Sequence, residues 1–141
     1  MNMPVTKYED CIIFLLAKAY QKAHAHFKKR LVPYGLTPIQ HLILEALWLK
    51  DGQSAGDIGK KLVLDGATLS GVLDRLAAGD WITKEPDPDD KRILRIFLAS
   101  KCKHLRPRLS EERNRANEEI MHKLTLEEKV LLKRLLRDVQ G

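Results

Sequence analysis

The stretch Ser54-Ala55-Gly56-Asp57-Ile58-Gly59-Lys60-Lys61-Leu62-Val63-Leu64-Asp65-Gly66-Ala67-Thr68-Leu69-Ser70-Gly71-Val72-Leu73-Asp74-Arg75-Leu76 decides the fold. Ser54, with Asp57 three residues on, is a helix-capping pattern. Ile58 and Leu62 then point inward, and Lys60 and Lys61 outward. Val63-Leu64-Asp65 is long enough to turn one helix sharply into the next, which is helix-turn-helix spacing. Asp65 caps a second helix, roughly Gly66 to Ala78, that buries Leu69, Val72, Leu73 and Leu76. Gly66, Thr68, Ser70, Gly71, Asp74 and Arg75 are left on or near its outer side.

That outer face is small and polar. Small side chains let a helix enter a DNA major groove about 12 Å wide, where hydroxyls reach phosphates and base edges. Free backbone N–H groups in the first turn suit a phosphate. The face therefore reads as a DNA contact, with Ser54 of the preceding helix as a further contact.

Immediately downstream, Gly79 ends the helix and Trp81 to Glu85 is β-prone. Arg92 to Leu98 is a second strand, with Leu94, Ile96 and Leu98 alternating against Ile93, Arg95 and Phe97. Pro86-Asp87-Pro88-Asp89-Asp90-Lys91 forces the turn between them and makes the ribbon a wing. Asp90 and Arg92 are two apart at a strand end, so their side chains point the same way. A carboxylate so placed holds a guanidinium extended, ready for a narrow, electronegative minor groove. Asp90, Lys91 and Arg92 are the wing's expected DNA contacts.

Upstream, Tyr8 to Val32 reads as one long helix with Ile12, Ile13, Leu15, Leu16, Ala19, Ala23, Phe27 and Leu31 on a broad apolar face. Thr37-Pro38-Ile39-Gln40 opens the next helix with a capping box and proline at its first position. Ile39, Leu42, Ile43, Ala46 and Leu47 supply its buried face, and Asp51-Gly52 stops it. Downstream, Lys101 to Lys123 reads as a helix that Pro107 should kink or start later. Thr125 to Glu128 is another capping box, opening a last helix with Val130, Leu131, Leu135, Leu136 and Val139. These terminal stripes are too apolar to be left in water, and with the first helix they are expected to form a homodimer interface.

The expected architecture is mainly α with a small β-wing: an N-terminal dimerisation helix (1–36), a winged helix-turn-helix DNA-binding domain (37–98) and C-terminal dimerisation helices (99–141). The longest apolar run, Ile12 to Ala17, is too short to span a bilayer, and Met1 to Lys7 lacks a secretion signal's apolar core, so no membrane association and a cytoplasmic location are expected. Net charge is +6 with 31% charged residues, which permits a nucleic-acid partner. Residues 54–98 nevertheless carry 7 basic and 8 acidic side chains, so charge alone does not find the site. Two cysteines, Cys11 and Cys102, are too few for a disulfide framework or a zinc site, and no cofactor motif is present. The absence of a phosphate-binding glycine loop, a His-Glu-x-x-His motif and a nucleophile elbow argues against an enzyme.

Ile58-Gly59, Leu62, Asp65, Ala67-Thr68, Ser70, Leu73, Arg75-Leu76, Trp81-Ile82 and Asp87-Pro88-Asp89-Asp90-Lys91-Arg92 together resemble the MarR family of bacterial winged-helix regulators over nearly the whole chain. One departure is Leu98-Ala99-Ser100-Lys101-Cys102, where the family commonly has Leu-Thr followed by Gly; Ser100 is expected to cap the next helix instead. The resemblance implies a homodimer on pseudo-palindromic double-stranded DNA, usually a repressor released by a small ligand, often aromatic or phenolic, or by oxidation. Family ligands often bind between the dimer helices and the winged unit, which makes His24 and His41 the candidate effector residues. A thiol-sensing branch carries a cysteine in the region of Cys11, so oxidation there is an alternative. The tyrosines that support the thiol in that branch are matched here by Leu15, Ala25 and Pro38, and Glu9 and Asp10 disfavour a thiolate. A third reading is a winged-helix protein-interaction module that does not read DNA.

Overall fold

The computed structural model describes residues 2–62 and 64–141. Its elements in order are α1 (Ile12–Leu31), α2 (Pro38–Leu49), β1 (Gln53–Ser54), α3 (Ala55–Leu62), α4 (Gly66–Ala78), β2 (Ile82–Pro86), β3 (Leu94–Leu98), α5 (Ser100–Ile120) and α6 (Leu126–Gln140), with short 3₁₀ turns at Tyr8–Asp10 and Val32–Tyr34. Two compact units result, one of residues 1–30 with 111–141 and the other of residues 31–110.

In the second unit, α2 begins as the sequence predicts. Thr37 Oγ1 accepts from Gln40 N–H at 3.2 Å, Gln40 Oε1 accepts from Thr37 N–H at 2.9 Å, and Pro38 stands at the start. Its far end is closed by a residue the sequence did not single out. Gln53 is buried, donates to the Ala46 and Lys50 carbonyls at 2.8 and 2.6 Å, and accepts from Lys61 Nζ at 2.8 Å. The Ala46 carbonyl thereby gains a second donor beside Lys50 N–H at 3.2 Å, and the Lys50 carbonyl just past the helix end is satisfied. Gly52, left-handed at φ 73°, turns the chain between them.

The sheet is antiparallel in the order β1-β3-β2, with Ile82 opposite Leu98 and Lys84 opposite Ile96. Ile82, Ile96 and Leu98 are buried with Ile43, Leu44 and Leu47 of α2, Ile58 of α3, and Leu69, Val72, Leu73 and Leu76 of α4. This core fixes α4 and the wing to one scaffold.

Several expectations from sequence are corrected. Leu42 is 50% exposed and Leu44 takes its place in the core, because the α2 stripe falls one residue later. The long first helix begins at Ile12 after a 3₁₀ turn and ends at Leu31. Ser54 lies in β1, so α3 begins at Ala55. The strands begin at Ile82 and Leu94, later than expected, because Trp81 and Arg92 belong to the turns. Ser100 is the first helical residue of α5, and the Ala99 carbonyl accepts the first bonds, from Cys102 and Lys103 N–H. Pro107 sits inside α5 without delaying its start. The expected turn Val63-Leu64-Asp65 includes Val63, outside the described residues; beside it, Leu64 N–H donates to the Gly59 carbonyl at 3.0 Å.

In the other unit, Arg30 on α1 is paired with Glu112 on α5 at 3.1 Å and with Glu119. The Arg30 guanidinium holds the Glu119 carboxyl below the usual range. α6 opens with the Thr125–Glu128 capping box and has no buried residue. Leu126, Val130, Leu131, Leu135, Leu136 and Val139 are exposed, as are Ile12, Ile13, Leu15 and Leu16 of α1. Among the described residues no helix is long and apolar enough to cross a membrane.

Candidate nucleic-acid interface

Two short helices, α3 and α4, carry the candidate contacts, and each is tied at its N-terminus. Ser54 Oγ accepts from Asp57 N–H at 3.1 Å. Asp65 accepts from both the backbone N–H and the hydroxyl of Thr68 at 2.8 Å, and the backbone bond first, the hydroxyl second, hold its carboxyl below the usual range. These caps occupy the hydroxyls of Ser54 and Thr68. Gly66, Ala67, Thr68, Ser70, Asp74 and Arg75 are exposed on α4, opposite its buried stripe. A methyl group placed at Gly66 would meet nothing within 4 Å. One placed at Gly71 would lie 3.7 Å from the Arg75 guanidinium, which folds back along its own helix.

Between α3, α4 and the wing runs a groove of about 640 Å³, lined by Gly56, Gly59, Ser70, Leu73, Asp74, Lys84 and Leu94 among others. The Lys84 ammonium, on β2, crosses it to donate to Asp74 Oδ1 on α4.

At the wing tip the Asp90 carboxylate grips Arg92 in fork geometry. Arg92 Nε donates to Oδ1 at 3.1 Å, a terminal nitrogen to Oδ2 at 3.2 Å, and the backbone N–H to Oδ1 at 3.1 Å. The Arg92 side-chain bonds, then its backbone bond, lower the Asp90 pKa. The Arg92 side chain is 90% exposed, so the guanidinium is extended into solvent and held there.

The tip itself is built by Asp87, which sequence reasoning treated only as turn-forming. Its Oδ1 accepts from the backbone N–H groups of Asp89 and Asp90 at 2.8 and 3.1 Å, and its Oδ2 takes Arg95 Nε. Arg95 reaches on to the Gly52 carbonyl at 3.2 Å. Lys84 and Arg95 were also missed as site residues. No local sequence signal marks either, because Arg95 meets the Gly52 carbonyl 43 residues away and Lys84 meets Asp74 10 residues away on another element.

The effector and redox candidates fall in both units of the chain. His24 lies on α1, 5.7 Å from the Tyr20 ring, in the unit of the chain ends. His41 is fully buried in the winged unit, 3.4 Å from Glu45 and edge-on to Trp48 at 6.0 Å. Cys11 is partly exposed; Cys102 is buried, and desolvation pushes its thiol up to about 11. Among the described residues no group of three His, Cys, Asp or Glu side chains is placed to hold a metal ion.

The family model described as MarR family matches residues 34–93, the stretch that holds α2, both short helices and the wing tip. The transcriptional regulator TtmR of Methylorubrum extorquens is 36% identical over 93 residues, 64% of this chain and 48% of that protein. The chain thus spans about half of that relative's length. The transcriptional repressor NicR of Pseudomonas putida is 32% identical over 123 residues, covering 87% of this chain and 78% of that one. The structure of Bordetella bronchiseptica BpsR, described as regulated in its DNA binding by 6-hydroxynicotinic acid, superposes with a TM-score of 0.90 at 26% identity, over 98% of this chain and 99% of that one. By its matched motif region, its similarity to NicR along most of both sequences and its winged-helix architecture, the chain belongs to the MarR family of transcriptional regulators.

Proposed function

We propose that this protein is a transcriptional repressor that binds a pseudo-palindromic double-stranded operator as a homodimer and is released by a small aromatic ligand. The carrying observation is Arg92, held outward by Asp90 at the tip of a wing that shares its core with the polar helix α4. α4 occupies the major groove and Arg92 the adjacent minor groove. Gly66, Thr68, Ser70, Gly71, Asp74 and Arg75 serve the first contact, and Asp90, Lys91 and Arg92 the second. Ser54 and Thr68 act through helix ends whose N–H groups face a phosphate.

The homodimer is supported by the exposed apolar faces of α1 and α6, which bury poorly within one chain. Two reading helices about 34–36 Å apart then match one turn of DNA. The effector reading draws on BpsR and its 6-hydroxynicotinic acid, with His24 and His41 as its candidate residues here. The oxidation alternative rests on Cys11 and predicts that a Cys11→Ser variant no longer leaves DNA when treated with peroxide.

The test is a binding titration on the DNA upstream of the protein's own gene at two salt concentrations, against a scrambled duplex of equal length. Sequence-selective binding that weakens with salt is expected. Equal binding to both duplexes would reduce the protein to a generic cation, and no binding in the absence of effector would favour a protein partner instead.

A further inference from the structure

Asp74 is a carboxylate on the face of α4 that meets DNA in the proposed function, where an unbalanced negative charge would repel phosphates. It is not left unbalanced. Lys84 is 28% exposed and Asp74 64%, so the lysine is tucked along the groove wall while the acid stays at the surface. Lys84 owes this position to register: it lies opposite the buried Ile96, on the strand face turned toward the core. Its ammonium takes only Oδ1. Among the described residues Oδ2 accepts no hydrogen bond, so one oxygen is anchored and the other is presented.

Resting on the DNA-reading function proposed above, we infer that Asp74, steadied by Lys84, is the specificity-determining residue through which α4 selects cytosine at one position of each half-site. A carboxylate is acceptor-only and needs a donor on the base edge. In the major groove the donors are the amino groups of cytosine and adenine. Adenine's amino group lies between two acceptors, its own N7 and O4 of thymine, which repel a carboxylate. Cytosine's has an acceptor on one side only, O6 of its guanine. Ser70, one turn before Asp74 and exposed, is small enough to leave room for the base edge to approach the carboxylate. Lys84 does not touch the base; it cancels the charge and fixes the carboxylate's orientation.

The test is selection of bound duplexes from a randomised pool by the full-length protein, with sequencing of the bound fraction, for wild type, Asp74→Ala, Asp74→Asn and Lys84→Met. Thermal unfolding of each variant is measured in parallel. Wild type should prefer cytosine about fivefold or more at one position per half-site. Asp74→Ala should flatten that position alone. Asp74→Asn should move its preference toward adenine, whose N6 and N7 an amide matches. Lys84→Met should weaken binding to every sequence. An Asp74→Ala profile identical to wild type, or one weakened evenly at all positions with lowered thermal stability, overturns the inference and leaves DNA reading intact. A wild-type protein that enriches no sequence overturns both.

Discussion

Asp87 closes the wing by holding Arg95: one carboxylate oxygen takes the Arg95 Nε–H while the other gathers the Asp89 and Asp90 N–H groups of the tip. Through Arg95 the same carboxylate is linked to the Gly52 carbonyl at the start of the sheet. The tip that carries Arg92 is therefore shaped by a buried acid, and Arg92 inherits its position from a residue that is itself almost fully out of solvent.

Asp87→Asn should loosen the tip while leaving the helical core folded. An amide cannot match a carboxylate's charge-assisted bond to a guanidinium. The Arg95 bond, and then the Asp89 N–H, hold the Asp87 carboxyl below the usual range. A lowered folded value places its stabilising contribution in full above the ordinary carboxylate value near 4 and removes it as pH falls through the folded one. The Arg95 Nε–Hε resonance should thus stay protected from exchange at neutral pH and lose protection only well below pH ~4. In Asp87→Asn it should be unprotected at neutral pH.

Arg92→Ala should leave thermal unfolding unchanged, because the side chain is 90% exposed and, among the described residues, pairs with Asp90 of the tip alone. Operator affinity should fall on the order of tenfold, and the slope of log affinity against log salt should lessen by about one. Lys91→Ala should produce the same salt effect without altering sequence preference.

The fold was legible because local signals agreed with one another. The capping boxes at Thr37 and Thr125, the Asp65 cap and the Pro/Asp tip each act within four residues, and all are present in the structure. The Asp90–Arg92 pair was legible for the same reason. What the sequence hid acts over distance. Arg95 meets the Gly52 carbonyl 43 residues away, Leu98 N–H donates to Asp51 across 47, and Lys84 meets Asp74 across an inter-element groove. Periodicity could not distinguish Leu42 from Leu44 because α2 is apolar on most sides. Only the packing of α2 on the sheet decides which leucine is buried.

The proposed homodimer predicts a mass of two chains by sedimentation at micromolar concentration. Leu131 and Leu135 lie four apart on α6, so they share one exposed apolar face. Replacing both with Glu puts two charges into that face and should yield monomers that retain helical content. Operator affinity should fall with the dimer, because one reading unit alone contacts only a half-site.

Cys102 should be inert in the folded protein. It is fully buried, and its thiol is pushed up to about 11 chiefly by desolvation, so the thiolate is scarce at neutral pH. A thiol-reactive chromophore at pH 8 should modify Cys102 only after denaturant is added. Rapid modification of native Cys11→Ser protein would show that the α5 packing around Cys102 opens readily.

Gly52→Ala tests the corner on which the wing is hung. Gly52 sits at φ 73°, a left-handed conformation that costs a non-glycine residue about 1–2 kcal/mol. A Cβ there would also fall 2.9 Å from Cε1 of Phe97, closer than unstrained carbon atoms approach. Phe97 stands on β3 beside Ile96, the residue paired with Gln53, so moving the ring disturbs the strand that joins the wing to β1. The Gly52 carbonyl is the Arg95 partner, which carries the disturbance to the tip. The variant should therefore lose about 2 kcal/mol or more in denaturant unfolding, and its operator affinity should drop although no residue proposed to touch DNA has changed. Unfolding indistinguishable from wild type would mean that the corner relaxes at no cost and does not fix the wing.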